Sequence, residues 1–416
     1  MPLTKIVLLM KLLCVGCGAC ITVCPASAIL PIVNTGYFSI AIDEGKCISC
    51  RLCLKVCPII NYLAGNTPSR LFSPYILKTY LAWALDERIR YRGASGGVVT
   101  ALLKYLLEKK IVEGALVVRM KGLDPEAYIA RSVDEILRAQ GSIYFPTYSI
   151  KSVRQIMNAH GRYVIVGLPC QIDSINIMIK KNILKEDKIA FLFALRCHSV
   201  FAHWYLDYML HLLGLEKEEI IAVSSRGFGW PGRIFILSKR GKFELPLIGG
   251  NLSVWNPLAS TNLAAQLGCT ICANHDGFGA DIVFGDAWLP HIVKTDNKGA
   301  SLISILTEKG LNLVEEAARD GYIGIQEIPT EASQRPIPNR NVTEECLKTY
   351  IRQGIVGVLA RHGVRGAALL SIYLLFYDQR TRNLILKLPF KTIAKIISWR
   401  RYFLSGIESG RAFTKQ

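Results

Sequence analysis

Two runs of cysteine constrain this chain more than any other feature it has. Cys14, Cys17, Cys20 and Cys24 follow one another at two, two and three intervening residues, and the last is followed by Pro25. Cys47, Cys50, Cys53 and Cys57 repeat that spacing further on and close on Pro58. Thiolates so spaced hold cubane iron-sulfur clusters, three from one run and the fourth from the other. The crossed pattern assigns Cys14, Cys17, Cys20 and Cys57 to one 4Fe-4S cluster, and Cys47, Cys50, Cys53 and Cys24 to a second. A zinc or disulfide framework accounts poorly for four thiols written twice, each run ending in Cys-Pro. Electron transfer is therefore the first activity to expect.

The chain has 416 residues, enough for several domains with a substantial core. The cluster segment uses only the beginning, expected over residues 1–65. Five cysteines lie elsewhere: Cys170, Cys197, Cys269, Cys272 and Cys346. Thiolate-bound clusters need a reducing compartment, and the apolar run Ile6 to Met10 is broken by Lys11 and leads into a cluster motif with no cleavage site. A cytoplasmic protein is expected. Net charge is +18, and from Leu347 to Gln416 thirteen Lys and Arg face only Asp378 and Glu408. That basic stretch, 347–416, reads as a helical tail. It is either a solvated face or a helical hairpin docked on a partner or on the inner face of an acidic membrane. Its uncharged run, Gly366 to Tyr377, is too short to span a bilayer, and no nucleic-acid-binding motif accompanies the charge.

Asn66-Thr67-Pro68-Ser69 reads as a linker out of the cluster segment. Beyond it, helical periodicity over Val98 to Lys110 precedes a strand at Ala115 to Val118. Tyr163 to Val166 and Ile189 to Leu195 are further strand candidates, each followed by a loop and a helical stretch. The order predicts an α/β body with a mixed, partly parallel sheet, in two parts over 66–160 and 161–346. Ligands in such sheets gather at the carboxyl ends of the strands, where Cys170 and Cys197 both fall. With Cys269-Thr270-Ile271-Cys272 they make four ligands, the number a third cubane needs. A lone Cys is also a common core residue, and Cys346, in a polar helical context, is read as structural. Gly93-Ala94-Ser95-Gly96-Gly97-Val98-Val99-Thr100 opens a helix, as a phosphate site or as a tight strand-to-helix connection. It fits neither the dinucleotide fingerprint nor the Walker pattern.

Several segments together resemble the coenzyme F420 hydrogenase/dehydrogenase beta-subunit family, in the form carrying an N-terminal two-cluster ferredoxin domain of α+β type. They are GASGGVVTALLKYLLEKKIVEGALVV from Gly93, GSIYFP from Gly141, GLPCQI from Gly167, CHSV from Cys197, and CTIC with ADIVFGDAW from Cys269. The chain departs from the family's pattern at Ser199 and at Gly227 or Phe228. The resemblance implies FAD held by Ser95, Gly96, Gly97 and Thr100, and a body cluster on Cys170, Cys197, Cys269 and Cys272. It further implies hydride exchange with a reduced deazaflavin coenzyme, or another hydride donor, and electrons passed on to a redox partner subunit or ferredoxin. The deazaflavin's anionic tail asks for basic residues near the flavin, with Lys121, Arg226 and Arg233 as candidates. Two other readings are a ferredoxin-dependent reductase of another organic substrate and a pure electron-transfer subunit.

Overall fold

The computed structural model describes residues 3–330 apart from 35, 67–74, 250–251, 257–258, 260–261, 273, 290–291 and 293–295. The basic tail, Cys346 and most of the linker lie outside the described residues.

The cysteine runs flank an antiparallel hairpin of β1 (Ile29–Asn34) and β2 (Tyr37–Ile42). The body then runs through β3 (Lys78–Ala84), the hairpin of β4 (Gly114–Lys121) and β5 (Asp124–Ala130), β6 (Tyr163–Gly167) and β7 (Ile189–Leu195), with helices in the other connections. A separate antiparallel sheet follows, from β8 (Ile220–Val223), β9 (Arg233–Ser238) and β10 (Gly241–Pro246). The chain returns through β11 (Ile282–Asp286), β12 (Ser301–Ile305) and β13 (Ile323–Glu327). The large sheet has eight strands in the order β13-β3-β12-β11-β7-β6-β4-β5. Its centre, β11-β7-β6-β4, is parallel and its flanks are antiparallel. The expected mixed, partly parallel sheet is therefore present.

The central strands are apolar almost throughout because both faces are covered. On β6, Val164 packs with Leu102 and Leu106 of the Val98–Glu108 helix, while Ile165 points the other way. That second face is covered by the Pro169–Lys180 helix, through Ile172 and Ile175, and by Leu13, Val15, Val56 and Ile59 of the cysteine-run segment. The N-terminal module is thus part of a layer of the body rather than a bead on a linker.

Its seam is also polar and close. Thr22 Oγ1 donates to Ile150 O at 2.6 Å, and Arg154 Nη2 donates to the carbonyls of Thr22 and Cys24 at 2.9 and 2.6 Å. Gln266 Nε2 donates to Cys14 O at 2.8 Å, and its Oε1 accepts from Phe38 N–H. At Gly268 a Cβ would stand 2.1 Å from Leu13 O, so the two backbones touch where only glycine fits.

Candidate functional site

Two of the body thiols, Cys170 and Cys197, are delivered by strand ends, and the other two by a short helix. β6 leads into the Pro169–Lys180 helix, with Pro169 at its first position and the Leu168 N–H bonded to Gln171 Oε1 at 2.7 Å, so Cys170 is fixed in the opening turn. The adjacent parallel strand β7 releases Cys197 at the same edge of the sheet. The short helix Leu267–Ile271 carries Cys269, and Cys272 follows it. Cys170, Cys269 and Cys272 are buried, Cys197 is half-buried, and Cys272, Cys17, Cys197 and Cys269 are the charges felt by Cys170.

Sequence reasoning passed over His275, which ties these loops together. One of its ring nitrogens lies 3.0 Å from Cys197 O and the other 3.0 Å from Cys272 O. Among the described residues no three His, Cys, Asp or Glu side chains are placed to hold a single metal ion. A cubane, with iron at several corners, asks for a wider set.

Charges from both cysteine runs reach each other: Cys20 feels Cys17, Cys14, Cys57 and also Cys53, while Cys53 feels Cys50, Cys24 and Cys47. Cys17 and Cys20 are buried, whereas Cys47 and Cys50 are exposed. Burial pushes the Cys14 thiol up to about 12, and burial likewise raises Cys57 and Cys170. Such thiols ionise only beside a positive charge, which iron would provide.

A cavity of about 670 Å³ opens at the carboxyl ends of β4, β6, β7 and β11, within the range of organic-cofactor sites. Cys197 lines it on one side, and Ser95, Gly97 and Thr100 on another. Gly96, expected at the same ligand, is not among its lining residues. A Cβ on Gly96 would stand 2.6 Å from Ala82 O and 2.8 Å from Ser301 N, so this glycine lets the loop lie against β3 and β12. Ser95 Oγ and Ser301 Oγ are 2.8 Å apart, and the helix begins at Gly97 with φ +71°, not at a capping Ser. The GSIYFP segment lines the cavity as well, as do Arg196, Ser199 and Arg226.

The three basic candidates separate. Arg226 is 3% exposed and paired with Asp286 Oδ2 at 2.7 Å. Arg233 is exposed, bonded to Glu244, and Lys121 is exposed at the end of β4; neither lines the cavity. On the helix that carries Cys170, Asp173 is buried and bonded to Tyr62 Oη of the N-terminal module and to Asn274 Nδ2. Burial pushes its carboxyl up to about 7.

Thiols at parallel-strand ends beside a large cavity, joined to a doubled cysteine module, define an iron-sulfur oxidoreductase on an α/β scaffold. Family models agree: coenzyme F420 hydrogenase/dehydrogenase beta subunit N-term over residues 79–154, the C terminus of that subunit over 160–331, and a 4Fe-4S dicluster domain over 9–64. The chain belongs to the coenzyme F420 hydrogenase/dehydrogenase beta-subunit family. The F420-dependent formate dehydrogenase subunit beta of Methanocaldococcus jannaschii is 28% identical over 269 residues, 62% of this chain and 64% of that protein. The coenzyme F420 hydrogenase subunit beta of Methanothermobacter thermautotrophicus is 27% identical over 243 residues, 55% of this chain and 81% of that one. An uncharacterized protein of Methanocaldococcus jannaschii is 28% identical, and the chain spans 61% of its length, so two of these three relatives are matched over less than two thirds of their own length. A chain in a structure of the F420-reducing NiFe hydrogenase complex from Methanosarcina barkeri is similar at 20% identity and a TM-score of 0.49, over 68% of this chain and 90% of that one. Among the described residues no helix is long and apolar enough to cross a membrane.

Proposed function

We propose that the chain passes electrons between a hydride-carrying deazaflavin, coenzyme F420, and iron-sulfur clusters by way of FAD, and then to a partner protein. The observation that carries this reading is the shared cavity, with a thiol of the body set on one wall and a glycine-rich helix start on another. The residues present suit FAD. Ser199 Oγ, Arg196 Nε and Arg226 Nη2 belong to cavity-lining residues and have no hydrogen-bond partner among the described residues, a demand that an acceptor-rich ligand answers. Arg196 Nε makes only a 4.0 Å ion pair with Asp276. The start of the Val98–Glu108 helix suits its phosphates, with Ser95, Gly97 and Thr100 as contacts and Gly96 shaping the turn.

Bound there, FAD supplies the interchange between two-electron hydride chemistry and one-electron transfer. Cys170, Cys197, Cys269 and Cys272 hold the body cluster against the cavity wall. Cys17, a charge felt by Cys170, belongs to the next set, with Cys14, Cys20 and Cys57. Cys24, Cys47, Cys50 and Cys53 make the outermost set, where Cys47 and Cys50 reach the surface and a partner can collect electrons. The relatives named as beta subunits make a partner subunit the natural acceptor.

Anaerobic protein loaded with FAD should be bleached rapidly by reduced deazaflavin and left unchanged by NADH or NADPH. Reduction by the nicotinamides alone, or by reduced ferredoxin alone, would move the reading to a reductase of another substrate.

A further inference from the structure

Asp173 stands where three cysteine-bearing segments meet. It lies one turn past Cys170 on the Pro169–Lys180 helix and is 3% exposed. Its carboxylate accepts from Tyr62 Oη, on the Pro58–Leu63 helix that starts directly after Cys57. It also accepts from Asn274 Nδ2 at 2.9 Å, two residues beyond Cys272. Asn274 holds its own loop by accepting from Gly277 N–H at 2.9 Å and donating to Phe278 O at 3.3 Å. The neighbouring Ser174 hydroxyl donates to Gln171 O at 2.8 Å, which holds the opening turn of the same helix.

Stability alone does not explain a carboxyl here. Both hydrogen-bond partners among the described residues are neutral, and burying such a group without a cation costs more than an apolar side chain of similar size. A polar contact does what an apolar one cannot. Apolar surfaces repack over short slides, whereas two directed hydrogen bonds, costly to leave unmade, admit one registration.

We infer that Asp173 is a positioning residue which, with Tyr62 and Asn274, clamps the N-terminal module to the body and fixes the separation between the cluster set of Cys17 and that of Cys170. The inference rests on the ligand sets proposed above. It assigns Asp173 no contact with substrate; the residue acts through the two segments it joins.

The test uses the full chain, anaerobically reconstituted, with iron measured first. Tyr62→Phe, Asp173→Asn and Asp173→Leu should retain the wild-type iron content. In Asp173→Leu, electrons placed on the body cluster should reach an external acceptor roughly tenfold more slowly or worse, since small misplacements are costly in rate. The broadening of paramagnetic resonance lines that marks two neighbouring reduced clusters should also weaken. Asp173→Asn keeps an oxygen for Tyr62 and should recover much of both signals, and Tyr62→Phe should fall between. Wild-type rates and line shapes in every fully loaded variant would overturn the clamp. If Asp173→Leu does not fold, Tyr62→Phe decides in the same way, because it removes only a hydroxyl. Wild-type protein lacking body-cluster iron would instead bring down the ligand sets, and the clamp with them.

Discussion

Arg226 shows how one residue changes meaning between sequence and fold. Its position just before Gly229-Trp230 offers a free cation for an anionic ligand. In the fold it is committed to Asp286, sixty residues along the chain, with further bonds to Pro231 O at 2.9 Å and Tyr144 Oη at 3.3 Å. Removing one member of a buried pair strands the other, at a cost of about 3 kcal/mol. Arg226→Met should therefore lower the thermal midpoint by many degrees, while Arg233→Met, which breaks an exposed pair with Glu244, should cost under about 1 kcal/mol. Similar losses in the two variants, measured by anaerobic thermal denaturation, would contradict the burial argument. The doubled cysteine module was legible because cluster chemistry dictates its spacing, whereas Cys170 and Cys197 were singled out only by following strands. Asp173 and His275 were not legible: a lone Asp on a helix reads as an outward face, whereas in the fold it is buried and bonded to Tyr62 and Asn274, both distant in sequence.

Among the elements, those with a long apolar signal could be read directly. β7 spans Ile189–Leu195 as expected, and the helix expected from Val98 to Lys110 covers Val98–Glu108, within two residues of its expected end, although a short helix, Glu87–Arg92, precedes it unread. The antiparallel flanks β3, β12 and β13 and the separate sheet of β8 to β10 went unread: β3 pairs with β12 and β13 from the far end of the body, and β8 to β10 mix buried or half-buried and exposed positions over only a few residues each. The two cysteine loops teach a related lesson. Gly16 and Gly18 in the first loop, and Ser49 and Arg51 at the matching places in the second, all have positive φ. The backbone path is repeated, yet only the first loop uses glycine. There a Cβ at Gly16 would stand 2.3 Å from Pro146 Cβ, and one at Gly18 2.5 Å from Tyr148 O, whereas Ser49 and Arg51 face solvent. Left-handed backbone costs a side chain about 1–2 kcal/mol, and glycine's greater unfolded-state freedom returns part of that. Gly18→Ala should thus combine strain with collision and lower both iron retention and the thermal midpoint. Arg51→Gly should stay within about 1 kcal/mol of wild type. Equal effects from the two would refute the docking explanation.

For the molecule as a whole, the sheet's parallel centre fixes where the site lies, and the module packed on its second face fixes where the site leads. Cys170→Ala and Cys272→Ala should each remove about one cluster's worth of iron from three while leaving the doubled module loaded. Iron analysis that shows no loss, or complete loss, would break the division into sets. The gradient from buried Cys17 and Cys20 to exposed Cys47 and Cys50 carries one more consequence. Oxygen and chelators arrive from solvent, so damage should advance from the rim inward. Timed exposure to air should strip the outermost cluster first, and a molecule so weathered would still accept charge at its centre while having lost the terminal through which to deliver it.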